Sequence, residues 1–553
     1  MMSRWTVQFA GSFCTAGLLL GTLFFAASLT PSLLPRTALV QGVLSGLAFG
    51  TGYLLGFWIR RLWRYLELPG LPGRLNLVVP MTAAAVCFVI AGYFLWRSVG
   101  WQNSIRAAMD LEPTAEEQHL QVALVAAAVF AGLVLLVRLL RMAFVLVSRV
   151  IRRRIPRRFA QVIGFAVVVT LLWTAANGLI FSVGLRMADS SYQQFDALIE
   201  PDVEQPLDSA MAGSAESLVD WEGMGRAGRK FIARTPDAKE LDGFLEKDAA
   251  MRPARVYVGL NSAETIEARA ELALEELKRI DAFERSALII ATPTGTGVVD
   301  RPAIEPVEYM TGGDVATVAV QYSYLASWLA LLTESGYGAD TAQVLFDRVY
   351  EYWRKLPAEE RPELYLHGLS LGALNSDLSF DLFDVVADPI DGAVWSGPPF
   401  STPTWASATQ EREEGSPAWL PRFRDGSVIR FTNQQDKLDI AGAEWGPMRF
   451  VYLQYASDPI VFFEPELFYR RPAWLEGRRG PDVSQALTWY PAVTFLQLIA
   501  DMPASMAAPV GYGHVYAVEH YVEAWAEVLE PSGWDDTRVS RLKARLRSLR
   551  DKN

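Results

Sequence analysis

In the run Leu366-His367-Gly368-Leu369-Ser370-Leu371-Gly372 a serine stands between two glycines at Gly-x-Ser-x-Gly spacing. A serine hydroxyl is a poor nucleophile unless a histidine takes its proton and backbone amides receive the oxyanion. On a sharp strand-to-helix turn this spacing exposes the hydroxyl, and the glycines let neighbouring chain pass without Cβ clashes. The string alone is weak, so its context carries the weight. Leu364-Tyr365-Leu366-His367 reads as a strand directly before it, and residues 373 to about 385 read as a helix directly after. The competing role for Ser370 is a hydroxyl that merely caps that helix.

A base and an acid should follow the serine in the order Ser, acid, His, with the histidine in a loop before a late helix. Gly511-Tyr512-Gly513-His514 lies in such a loop, which makes His514 the expected base. His367 falls in the strand before the turn, His119 in an apolar N-terminal half, and His520 on the late helix. For the acid, residues 449–455 read as a strand that delivers Asp458, with Pro459 ending it. Asp436, one strand earlier, is the alternative, and either aspartate could instead cap its own turn. One oxyanion donor is expected at the amide of Leu371. The second is assigned to Leu260-Asn261-Ser262, at Asn261, taking the preceding strand as the second before the turn. Thr292-Pro293-Thr294-Gly295-Thr296-Gly297 is expected to shape the pocket, since it lacks the lysine and glycine spacing of a phosphate loop. No cofactor and no metal site are expected.

These residues need a scaffold. From residue 251 onward strands alternate with helices: strands near 255–260, 287–291, 364–367, 391–396, 428–432 and 449–455, and helices near 264–281, 313–335, 341–355 and, last, 515–530. That alternation predicts an α/β domain with a mostly parallel sheet covered by helices on both faces. Regions of about 398–425 and 460–510, rich in Pro, Trp and Tyr, interrupt the rhythm and are expected as lid-like insertions over the catalytic face. Residues 187–250 are polar and acidic and read as a linker.

Residues 1–186 differ in kind. They hold 17 Arg, no Lys and five acidic residues, whereas the whole chain of 553 residues has a net charge of −11, so the remainder is strongly acidic. That acidity excludes a nucleic-acid binder. Five apolar runs, at about 9–29, 37–59, 77–96, 120–147 and 160–184, each approach the ~20 residues a membrane helix needs. Arginines after the second run (Arg60, Arg61, Arg64, Arg74) and between the fourth and fifth (Arg149 to Arg158) predict cytoplasmic loops there. The chain after residue 186 is then expected outside the cytoplasmic membrane. The first run also fits a signal peptide, whose loss would leave four spans and the same orientation. Cys14 and Cys87 both lie in apolar runs, so the acidic half has no disulfide.

The multi-helix leader with Thr30-Pro31-Ser32-Leu33-Leu34-Pro35-Arg36, the Pro293-Thr294-Gly295-Thr296-Gly297 loop, Gln321-Tyr322-Ser323-Tyr324-Leu325 and the Gly368 to Gly372 turn together resemble a family of bacterial membrane-anchored α/β-hydrolases. The resemblance covers nearly the whole chain and implies the α/β-hydrolase fold and serine-dependent chemistry, with no particular substrate. That family has an acidic residue between the first glycine and the serine; here Leu369 takes its place, a change in pocket polarity that leaves a triad intact. Three functions remain open at this point. One is an esterase or lipase-like enzyme acting on a small-molecule or lipid-like acyl ester. The second is an envelope acyltransferase with the same triad, and the third is a non-catalytic membrane scaffold. Partners beyond the substrate and membrane lipids, and the oligomeric state, are not legible.

Overall fold

The computed structural model describes residues 14–69, 75–114, 118–153, 155–174, 196, 198–200, 202–246, 250–324 and 336–551. It divides into two compact units, Met1–Gly184 with Phe463–Ala508, and Leu185–Phe462 with Pro509–Asn553.

The first unit is helical: α1 (Thr15–Ser28), α2 (Ala38–Tyr65), α3 (Leu75–Ala108), α4 (His119–Ile151) and α5 (Arg157–Trp173). Of the five spans expected, three, lying in α2, α3 and α4, are long and apolar enough among the described residues to cross a membrane. The described part of α1 is shorter, and the last run passes outside the described residues beyond 174. Glycines on α2 set its packing. A Cβ at Gly42, Gly46 or Gly50, spaced four apart, would lie within 2.7 Å of Val125, Val129 or Leu133 of α4. On another face, a Cβ at Gly52 or Gly56 would come within 2.5 Å of a backbone oxygen of α1. Small residues at helical spacing thus let three backbones approach closely, which is how helices associate where lipid removes any hydrophobic incentive.

The stretch expected as a lid at about 460–510 contributes Phe463–Ala508 to this helical unit instead. On its helix Val493–Ser505, Asp501 accepts a hydrogen bond from Nε of Arg36 at 2.8 Å, both side chains being fully inaccessible, and another from the amide of Leu33 at 3.2 Å. Gln497 donates to the carbonyl of Thr30 at 3.1 Å. The Thr30 to Arg36 motif is therefore the socket for a segment more than 450 residues away. Sequence could not show this, because an apolar aromatic insertion has the same composition whichever surface it covers.

The second unit carries a seven-stranded, all-parallel sheet of β1 (Ala254–Val258), β2 (Ala287–Thr292), β3 (Val315–Val320), β4 (Glu363–Leu369), β5 (Gly392–Ser396), β6 (Ile429–Thr432) and β7 (Arg449–Leu453). Its order is β1-β3-β2-β4-β5-β7-β6. β1, β2, β3, β5 and β6 are buried along their whole length, and β4 and β7 lose burial only at their ends, as parallel strands covered on both faces must be. β3 replaces the front of the helix expected at 313–335; residues 325–335 lie outside the described set. Val315-Ala316-Thr317-Val318-Ala319-Val320 is a short apolar run whose periodicity suits either state. Gly313 (φ +82°) marks the boundary: a Cβ there would sit 1.8 Å from the carbonyl of Met251.

Helices follow the strands: α8 (Ile266–Arg279), α9 (Arg301–Met310), α10 (Tyr337–Trp353), α11 (Leu371–Asp377), α12 (Pro403–Gln410), α13 (Val518–Leu529) and α14 (Asp536–Arg550), the last beyond the helix expected to end the fold. The expected linker at 187–250 contains α6 (Gly225–Ala233) and α7 (Ala238–Leu245) and belongs to the folded unit. Buried Arg229 donates to the carbonyls of Asp196 and Leu198, while Arg255 of β1 reaches the carbonyl of Phe231 at 2.6 Å and both oxygens of Glu308. The 398–425 insertion stays in this unit, fastened where Trp405 and the carbonyl of Trp419 meet the side chain of Gln454, just after β7.

Candidate active site

Ser370 joins β4 to α11 with φ +58° and ψ −124°, a conformation rare for any residue with a side chain. Such a backbone costs about 1–3 kcal/mol and persists only where its surroundings enforce it. Here the amide of Ser370 donates to the carbonyl of Ser396 at 2.9 Å, and the amides of Ala373 and Leu374 return to the carbonyl of Ser370. A Cβ on Gly368 would lie 2.3 Å from the backbone of Gly372, and one on Gly372 2.2 Å from the carbonyl of Thr292. Both glycines are thus required by backbone contacts that cannot yield. The Ser370 hydroxyl makes no capping bond to α11, which removes the capping role.

His514 sits in a loop shaped by Gly511 (φ +92°) and Gly513 (φ +57°), closed by a bridge between Tyr512 and Val515. The amide of Gly513 donates to Oγ of Ser457 at 2.9 Å, tying this loop to the chain leaving β7. The next residue, Asp458, is wholly buried, and its Oδ2 lies 2.6 Å from Nδ1 of His514. Oδ2 also accepts from the hydroxyl of Tyr516 at 2.8 Å, and Oδ1 accepts from the amide of Ile460 at 2.9 Å. A carboxylate only accepts, so Nδ1 carries the proton and Nε2 is the basic nitrogen. Nε2 is buried and has no hydrogen-bond partner.

Both centres touch the chain at the end of β5. Ser396 holds the Ser370 amide, and a Cβ on the following Gly397 (φ +53°) would be 2.6 Å from Cε1 of His514. β7 lies beside β5 and β5 beside β4, so two strand spacings, about 10 Å, separate the serine strand from the aspartate strand. Beside Gly397, at the end of the intervening strand, the imidazole bonds Asp458 through Nδ1 and leaves Nε2 without a partner.

The other expected positions are elsewhere. Asp436 is exposed, in a left-handed conformation (φ +45°), and its Oδ1 accepts from the amide of Leu438 in its own turn at 3.3 Å. Leu371 opens α11, where an amide has no intrahelical acceptor. Asn261 does not fit its assigned place. It is exposed after edge strand β1, which β3 and β2 separate from β4, and its Oδ1 already accepts from the hydroxyl of Tyr324 at 2.8 Å. Overlooking β3 as a strand shifted the count by one. β4 pairs with β2 and β5, and the loop following β2, from Thr292, packs against Gly372.

The remaining histidines of this unit are structural. Burial pushes His367 and His520 down to about 4. Nδ1 of His367 lies 2.7 Å from the carbonyl of Val394, and that of His520 lies 2.6 Å from the hydroxyl of Tyr455. Tyr455 stacks on Tyr516, the tyrosine that bonds Asp458.

Sequence reasoning missed Asp300. It precedes α9 like a capping residue but makes no cap bond; it bonds Tyr521, whose hydroxyl lies 2.6 Å from Oγ of Ser396. Burial raises its carboxyl from 3.8 to about 6, with the Tyr521 hydrogen bond and nearby His514 pulling it partly back. A carboxyl raised on folding leaves stability intact at low pH and removes it as pH climbs from the unfolded value through about 6. Asp300→Asn, which keeps an acceptor for Tyr521, should therefore raise the unfolding temperature at pH 8, with the gain vanishing towards pH 4. A lower unfolding temperature at pH 8 would show instead that the charge is needed.

Residues 254–542 match the alpha/beta-hydrolase family, and residues 29–236 match that family's N-terminal region. Neither a curated protein nor a solved structure matches the chain.

Proposed function

Because the chain belongs to the α/β-hydrolase family, we propose that it is a membrane-tethered serine hydrolase that cleaves acyl esters through Ser370, His514 and Asp458. The observation that carries this reading is the buried Asp458–His514 pair, whose open Nε2 shares the Ser396–Gly397 turn with a strained, uncapped serine. Nε2 takes the Ser370 proton as Oγ attacks the carbonyl carbon. The tetrahedral oxyanion rests on the amide of Leu371 and on the loop after β2, and its collapse expels the alcohol, which leaves with the proton from His514. Water, deprotonated by the same nitrogen, then attacks the acyl-enzyme, and the carboxylic acid departs as Oγ regains its proton.

Three apolar helices support a tether that brings the enzyme to acyl chains in or at a bilayer. Arg60, Arg61 and Arg64 close α2, and Arg149 and Arg152 close α4, which favours those ends in the cytoplasm and the catalytic unit outside it. Full-length protein in detergent should hydrolyse p-nitrophenyl esters, with rates compared from acetyl to palmitoyl. A product in which the acyl group passes to an added alcohol faster than to water would make the enzyme a transferase. Absence of turnover on every ester, with or without acceptor, would overturn the proposal.

A further inference from the structure

One end of the helical unit holds a half-open cavity of about 270 Å³, with Arg36, Thr37 and Gln41 at the start of α2, Gln102 and Arg106 in the last turns of α3, and His119 at the start of α4. It lies opposite the arginine-rich ends of α2 and α4. No acidic side chain lines it among the described residues, whereas two guanidiniums and an imidazole do. Arg36 is already matched, since Asp501 and Gln41 take its hydrogens. Arg106 is not: its Nε donates to the carbonyl of Glu112 at 2.5 Å, and no carboxylate pairs with its charge among the described residues. Gln102 spends its oxygen on the amide of Arg36 at 3.0 Å, which turns its amide nitrogen into the spare group. Nδ1 of His119 is shielded from solvent and has no partner. The amino ends of two long helices face this space together with the carboxyl end of α3, so two positive dipole ends stand against one negative one, which Arg106 in the last turn of α3 offsets.

A cavity with spare donors, an unmatched cation and two helix amino ends is built for a multivalent oxyanion. We propose that it binds a phosphate group, with Arg106, His119 and Gln102 as its side-chain donors. Val99 and Val122 add apolar wall beside these donors, so the site accepts a phosphate attached to carbon as well as a free one. This site is independent of the ester chemistry assigned to Ser370.

The test uses full-length protein in dodecyl maltoside. Native mass spectrometry compares binding of phosphatidylglycerol with diacylglycerol of the same chains, and thermal unfolding compares inorganic phosphate with chloride at equal ionic strength. The lipid should bind about tenfold more tightly than diacylglycerol, or phosphate should raise the unfolding temperature where chloride does not. Binding of lipid alone identifies a headgroup site, and a response to both identifies a general phosphate site. Arg106→Gln, His119→Phe and Gln102→Ala should each weaken the preference about fivefold, and Arg60→Gln, at the other end of α2, should leave it unchanged. Any one of the three that folds suffices. No preference for either phosphate probe, or an equal loss in Arg60→Gln, would overturn the proposal.

Discussion

Ser370→Ala is expected to lower ester turnover by at least about 10⁴-fold, the scale on which removing a triad nucleophile acts in serine hydrolases. The protein should remain folded. Alanine keeps the Cβ that serine already holds at φ +58°, and no hydrogen bond from the serine hydroxyl braces α11. The backbone bonds that enforce the turn, from Ser370 to Ser396 and from Ala373 and Leu374 to Ser370, do not involve the side chain. Ser370→Gly extends the argument, because glycine accepts positive φ without penalty. It should be as inactive as the alanine variant yet more stable, by about 1 kcal/mol. A substitution that abolishes activity while raising the unfolding temperature separates a strained functional residue from a structural one. Activity checks the first half of this expectation and thermal unfolding the second.

Asp458→Asn is expected to cost about 10⁴-fold in turnover, through the tautomer of His514. The amide has one acceptor and one donor where the carboxylate had two acceptors. At Oδ1 stands the amide of Ile460, a backbone donor that cannot reverse its role. At Oδ2 stand the Tyr516 hydroxyl and Nδ1 of His514, both of which can become acceptors. The asparagine oxygen therefore faces Ile460 and its NH₂ faces the imidazole. Nδ1 is then forced to accept, the proton moves to Nε2, and the nitrogen needed by Ser370 can no longer take a proton. Asp436→Asn serves as the contrast: an exposed group that closes its own turn should leave turnover within about twofold. The two variants, compared in folded protein, also decide between the two aspartates left open by the sequence.

The parts of the fold that sequence conveyed are those where backbone geometry demands particular residue types. Two glycines flanking a serine, with a strand before and a helix after, describe a turn that few other arrangements need, and the structure has Ser370 there. Asp458 and His514 are far apart in sequence but follow a strand and precede a helix, and the structure brings them into contact. What was lost turned on local ambiguity. The six residues of β3 suit a helix as well as a buried strand, and mistaking them shifted the strand count by one, so that the expected second oxyanion donor fell after β1, at Asn261. Sheet order is set by packing rather than by local pattern, so nothing in the chain announced that β7 inserts between β5 and β6. The same holds for Asp501, an acid on an apolar helix whose reason is Arg36. Asp300 is one acid among many in the chain, and only the folded chain brings it to Tyr521.

The central claim, that Ser370 is the nucleophile, is most directly tested by treating the full-length protein with a fluorophosphonate and locating the adduct by peptide mass spectrometry. The phosphonyl group should be found on Ser370, with labelling lost in Ser370→Ala and strongly slowed in Asp458→Asn. An adduct on a different residue, or an unlabelled Ser370 in protein that still hydrolyses esters, would contradict it.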